Sequence, residues 1–158
     1  MNDSRSIFIK KTKEWNENEA SFVGEVLEHT FKNMLNGNEL NHEISVLLTN
    51  DKEIRELNKK YRNIDKPTNV LSFSITSHTI VNELKMIGDI VISKEKILSE
   101  ARDQHKTFKD HLAHIVIHGF LHLINFTHDN NEDSIIMENK EVELLKMIDI
   151  PNPYGDRV

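Results

Sequence analysis

The side chains best placed to do chemistry in this 158-residue chain are three histidines, His118, His122 and His128, spaced H-x3-H-x5-H. A helix turns by about 100° per residue, so His118 and His122 fall about 40° apart, one turn above the other. Two ring nitrogens so placed can reach one ion. His128 joins them only if the helix ends after His122 and the chain folds back. Asn125 stands where that break is needed, and Asn is the residue that most readily replaces Gly in the left-handed conformation that ends helices. Three neutral imidazoles with a fourth position open are the ligand set of a catalytic zinc rather than a structural one. One Zn2+ per chain is the expectation.

The surroundings of these histidines support a buried site. Six of the nine histidines lie between His105 and His128, and His111, His114, His118 and His122 project within about 80° of one another. The remaining faces carry Leu112, Ile115, Val116, Ile117, Phe120, Leu121, Leu123 and Ile124. A helix apolar nearly all round is buried, and buried imidazoles need hydrogen-bond partners or a metal. His114 is placed to hydrogen-bond behind the ligands or to line a substrate cleft, and His111 to lie nearer the surface. Met137 reads as a core position in the last helix.

The elements that must position this helix are legible in order. Ser6–Lys10 reads as a strand, 17–35 as a helix stopped by Gly37, and Glu43–Thr49 as a second strand. Thr49 or Asn50 can cap the next helix, with Glu53 completing a capping box from Asn50, and that helix runs to about Tyr61. Asn63–Thr68 is a loop, since Pro67 biases Lys66 away from helix, and Val70–Ile75 is a third strand. Ser77–Leu84 is read as an irregular excursion and Gly88–Ser93 as a fourth, central strand behind a turn that includes Asp89. Ser93 is set to cap a helix carrying Ile97, Leu98 and Ala101. The histidine helix spans about Thr107 to Ile124, and a last helix about Asn131 to Met147. The fold expected is one α+β domain over residues 1–158. It has about four strands in a mixed sheet, about five covering helices and a buried central histidine helix.

Composition narrows the function classes. The chain is 37% hydrophobic and 29% charged, with no cysteine, so any metal must be held by His and carboxylate and a cytoplasmic location is expected. No run reaches the length of a membrane span and the first residues lack the apolar core of a signal peptide. The net charge of −6 speaks against coating nucleic acid non-specifically, while leaving room for an RNA enzyme with a local basic patch. Residues 59–66 offer one: Lys59, Lys60, Arg62 and Lys66 against Asp65. Arg62 is the strongest candidate there, because a guanidinium forks onto phosphate oxygens. The three lysines are candidate substrate contacts, as is His114.

The histidine spacing is shared with zinc peptidases of the pattern H-E-x-x-H-x-x-G-x-x-H, but Gly119 occupies the position of their general-base Glu. Gly119 in a helix has a packing explanation, the close approach of a neighbouring element. The segment His118-Gly119-Phe120-Leu121-His122-Leu123, with His128, resembles instead the H-G-x-L-H-L-x-G-Y-D-H pattern of the YbeY family of bacterial metal-dependent endoribonucleases. Asn125, Phe126 and Thr127 replace that pattern's Gly, Tyr and Asp. Tyr61–Phe73 is similar to its Y-R-x-x-D-x-P-T-D-V-L-S-F, with Asn69 for Asp, and Gly88–Ser93 and Asn152-Pro153-Tyr154 match two further segments. The resemblance implies hydrolysis of single-stranded RNA in 16S rRNA 3′-end maturation and ribosome quality control. His118, His122 and His128 would hold the ion, with Arg62 and His118 catalytic. It further implies an rRNA precursor as substrate and contacts with the small ribosomal subunit and assembly factors, not DNA or membrane. Two rival readings are a zinc metallopeptidase and a non-catalytic ribosome-assembly factor whose zinc fixes the turn after the histidine helix.

Overall fold

The strand that carries the buried run Ile90-Val91-Ile92 sits at the middle of its sheet. In the computed structural model, which describes residues 6–35, 42–75, 80–81 and 84–155, β5 (Leu84–Ser93) is flanked by β2 (His42–Thr49) and β3 (Val70–Ser74). β1 (Ser6–Lys11) lies beyond β2, giving the order β1-β2-β5-β3. β1 and β2, and β2 and β5, are parallel, whereas β3 runs antiparallel to β5. The central position expected for Gly88–Ser93 follows from its composition: Ile87, Ile90, Val91 and Ile92 are all buried, as a strand covered on both faces requires.

Two stretches differ from their sequence reading. Within the excursion expected at Ser77–Leu84, β4 (Ile80–Val81) pairs antiparallel with Leu84–Lys85; residues 77–79 and 82–83 lie outside the described residues, as does Gly37. Gly88 and Asp89 belong to the strand rather than to a turn, with Asp89 between Ser45 and Phe73. The register slips between Glu43 and Ile44, whose partners are Met86 and Gly88. At this bulge Gly88 has φ 149°, and a Cβ there would collide with the Phe73 carbonyl oxygen. Glycine is therefore required by close approach of β3.

The helices are α1 (Glu17–Met34), α2 (Asp51–Arg62), α3 (Lys94–Asp103), α4 (Phe108–Leu123) and α5 (Asn131–Lys146). Asn16 and Glu19 form a reciprocal capping box at α1. Of the two cap candidates for α2, Asn50 accepts from the Glu53 N–H, and Asn63 closes the helix in the left-handed region at φ 59°. Ser93 precedes α3 but does not cap it with its side chain: its hydroxyl donates to Asp51 at 2.6 Å, tying the strand end to α2. Thr107 accepts from the Asp110 N–H at the start of α4. Among the described residues, no helix is long and apolar enough to cross a membrane.

α4 is the centre of the molecule. Eleven of its residues are buried, with Phe120 edge-to-face on Phe31 of α1 at 5.1 Å between centroids. Against the sheet the contact is closer. A Cβ on Gly119 would lie 3.1 Å from Val70 and 3.2 Å from the Ser72 hydroxyl, and that hydroxyl donates to the Gly119 carbonyl at 2.9 Å. The packing explanation for Gly119 holds, and it seats the turn bearing His118 directly on β3.

Candidate metal centre

The end of α4 turns back as the spacing of the three histidines requires. Asn125 has φ 76°, its N–H bonds to the His122 carbonyl at 3.2 Å, and the Phe126 N–H reaches the Leu121 carbonyl at 3.0 Å. These two bonds, with a left-handed residue between helix and loop, are the Schellman motif with Asn in the place of Gly. His128 thereby returns beside the helix. The His118 and His122 ring centroids are 4.5 Å apart, those of His122 and His128 4.8 Å, and those of His118 and His128 5.6 Å. One nitrogen from each ring lies within 4.8 Å of the others.

The free nitrogens can be assigned from their partners. His122 Nδ1 donates to the Phe126 carbonyl at 3.0 Å, inside the same turn. His118 Nδ1 donates to Glu141 Oε2 at 2.6 Å. Burial alone would raise the Glu141 carboxyl, but hydrogen bonds from His114 and His118 outweigh it and hold the group at about 2, so it is an anion and an acceptor. Both Nδ1 atoms therefore carry a proton for these bonds, and both Nε2 atoms are turned toward one another. The two Nε2 atoms stand 3.1 Å apart, within hydrogen-bonding distance. Burial, with the neighbouring His118, pushes His122 below the ordinary imidazole value. A cation held by the three imidazoles would lie between these nitrogens, and a borderline cation such as zinc suits such a donor set. The donor set fits a divalent cation.

Glu141 is the residue of this cluster that the sequence reading does not single out. It is fully buried and also accepts from His114 Nε2 at 2.8 Å and from the Tyr154 hydroxyl. One sign of it was available: on α5 it falls in the buried stripe Met137, Glu141, Leu144, Leu145, where a carboxylate is out of place. His114 is thus directed at Glu141, behind the ligands, and not into the cleft. His111, expected near the surface, is 3% exposed. Its Nε2 bonds to Glu100 Oε1 at 2.8 Å, an atom that also accepts from the Asn69 amide at 3.0 Å. An Asp at position 69 would set two carboxylates together, whereas Asn supplies a donor. Thr127, another departure from the family pattern, donates to Asp133 at 3.1 Å in the first turn of α5.

The three histidines open onto a cleft of about 560 Å³ whose wall also includes Arg62, Thr68, Ser72, Asn125 and Asp129. Arg62 is held by the Ser72 carbonyl at 3.1 Å and against the Phe73 ring at 5.9 Å. Lys59, Lys60 and Lys66 are absent from that wall. Lys59 borders a separate depression with Arg55, Asp65 and Glu95, and the Lys60 ammonium stands 5.1 Å from the Tyr61 ring centroid. Of the basic stretch, only Arg62 meets the histidines.

Comparison with known proteins gives a consistent picture. The family model described as Endoribonuclease YbeY matches residues 7–149. A relative from Nitrobacter hamburgensis, named Endoribonuclease YbeY, is 46% identical over 117 residues, 72% of this chain and 62% of its own length. Another of that name from Bradyrhizobium diazoefficiens is 46% identical over 121 residues, 73% of this chain and 65% of its own. The match thus spans less than two thirds of both relatives. The solution structure of TM1509 from Thermotoga maritima superposes with a TM-score of 0.59 at 25% identity, covering 96% of this chain and 99% of that one.

Proposed function

The chain belongs to the YbeY family, and from that premise we propose that it is a metal-dependent endoribonuclease that hydrolyses phosphodiester bonds of single-stranded RNA. The observation that carries the reading is the meeting, in one cleft, of three imidazoles and the guanidinium of Arg62. His118, His122 and His128 would hold one zinc ion. A cation there supplies Lewis acidity toward a water and toward a phosphoryl oxygen.

The chain's own residues do the rest. Phosphodiester cleavage gathers negative charge on non-bridging oxygens, and Arg62 is placed to receive it with a planar, permanently charged fork. Its position is tied to the histidines through β3: Arg62 donates to the Ser72 carbonyl, and the Ser72 hydroxyl donates to the Gly119 carbonyl beside His118. Arg62 and the turn bearing His118 are thus linked through β3, which supports a pre-organised site. A peptidase of this histidine spacing carries the carboxylate that takes a proton from water directly after the first histidine. Gly119 cannot do this, and Glu141 is buried behind His118 with its oxygens already accepting from His114, His118 and Tyr154. The family relationship supports an rRNA precursor as the RNA, action in 16S rRNA 3′-end maturation, and a cytoplasmic setting with the small ribosomal subunit as partner.

The test is a labelled single-stranded RNA incubated with the purified protein, with and without a chelator, beside a casein control. Chelator-sensitive cleavage of the RNA alone is expected. Chelator-sensitive cleavage of casein with intact RNA would overturn the reading.

A further inference from the structure

Burying an ionised carboxylate costs several kcal/mol unless it is fully paired, and replacing such a group by an apolar residue is often neutral or stabilising for folding. Glu141 sits in the buried stripe of α5 with zero exposure, so its retention points to something other than the fold. Its three partners converge from two parts of the chain. His118 Nδ1 and His114 Nε2 come from α4, and the Tyr154 hydroxyl comes from the segment after α5. That segment is pinned as well: Lys106, in the connection before α4, donates to the Pro153 carbonyl at 2.7 Å. The Tyr154 backbone N–H is held by the Asn152 side chain at 2.9 Å.

Resting on the reading of His118, His122 and His128 as a cation site, we infer that Glu141 is a positioning residue, held in turn by His114 and the C-terminal Tyr154. It keeps the His118 proton on Nδ1 and leaves Nε2 to the cation. An imidazole whose Nδ1–H is engaged by a carboxylate has its tautomer and ring orientation set, and its other nitrogen becomes a better donor to a metal. His122 obtains the same setting from a backbone carbonyl within its own turn. His118 is in the middle of α4, where backbone carbonyls are spent on the helix, so its partner has to come from another element. The C-terminal segment thus tunes cation affinity from behind the cleft without touching substrate.

The test uses the whole chain with zinc alone as probe. Zinc affinity is read by competition with a chromophoric chelator, and melting temperature on the metal-free protein. The protonated nitrogen of His118 is read by long-range nitrogen–proton NMR of the metal-free protein. Glu141→Gln should weaken zinc binding by roughly 10- to 100-fold, the usual cost of losing the group that orients a ligand. Tyr154→Phe should weaken it by a smaller factor with the metal-free melting temperature little changed. In Glu141→Met the His118 proton should move to Nε2. Wild-type zinc affinity in both Glu141→Gln and Tyr154→Phe would overturn the inference, as would a His118 proton still on Nδ1 in Glu141→Met. Should Glu141→Met fail to fold, the two conservative variants decide. No RNA enters these measurements, so failure of the nuclease reading would be seen separately, as zinc binding without RNA cleavage.

Discussion

The two halves of α4 carry the same residue type on the same face and put it to different uses. In the first half, His111 and His114 each direct Nε2 at a carboxylate, Glu100 and Glu141 respectively, and both are buried. In the second half, His118 and His122 engage their partners through Nδ1 and turn Nε2 into the cleft beside His128. A histidine stripe therefore does not define a metal site by itself. What separates the halves is which nitrogen a neighbouring acceptor occupies, and Glu141 stands at the boundary, bonded to one ring from each half.

That contrast breaks most sharply at the ligands. Alanine at His118, His122 or His128 should strip the ion and with it RNA cleavage, because two imidazoles make a weak site; elemental analysis reads it, and full occupancy in His128→Ala would remove that residue from the centre. His111→Gln, on the same stripe, should leave zinc stoichiometry unchanged.

The next largest effect concerns the cleft rather than the ion. Arg62→Ala should keep zinc and fold while slowing RNA cleavage by roughly 100-fold or more, the scale of losing one pre-organised charge stabiliser. Arg62→Lys should recover only part, since an ammonium cannot fork onto two oxygens. Undiminished cleavage in Arg62→Ala would show that the wrong residue carries the charge.

Smaller again is the turn that separates His122 from His128. Asn125→Val should lower zinc affinity by about tenfold, because a β-branched residue at positive φ costs about 1–3 kcal/mol. Asn125→Gly should bind like the wild type, and chelator competition compares the three proteins. The smallest change is confined to the first half of the helix. His111→Leu leaves Glu100 with the Asn69 amide but without its imidazole, and should cost about 1–3 kcal/mol of stability, read by denaturant unfolding, with zinc affinity unmoved.

Much of this was legible in the residues. The H-x3-H-x5-H spacing, the apolar surround of α4 and Asn125 at the break are local or periodic features, and helices and turns obey local rules. The left-handed Asn125 and the convergence of the three rings follow from them directly. The strand order has the same origin in part, since the near-continuous apolar run in β5 calls for a centre position.

Tertiary structure alone decided the rest. Glu141 lies 23 residues from His118 and Tyr154 a further 13, and no periodicity links a ligand to an acceptor on another helix; only the misplaced carboxylate in the α5 stripe hinted at it. Sequence placed Arg62 and three lysines in one basic stretch. The direction of the last turn of α2, closed by the left-handed Asn63, sends Arg62 to the Ser72 carbonyl and leaves Lys59 and Lys60 elsewhere. His111 was read as near-surface because its spacing puts it two turns before His118. Packing of α3 on α4 instead buried it against Glu100, since depth in a core depends on what covers a helix and not on the helix itself.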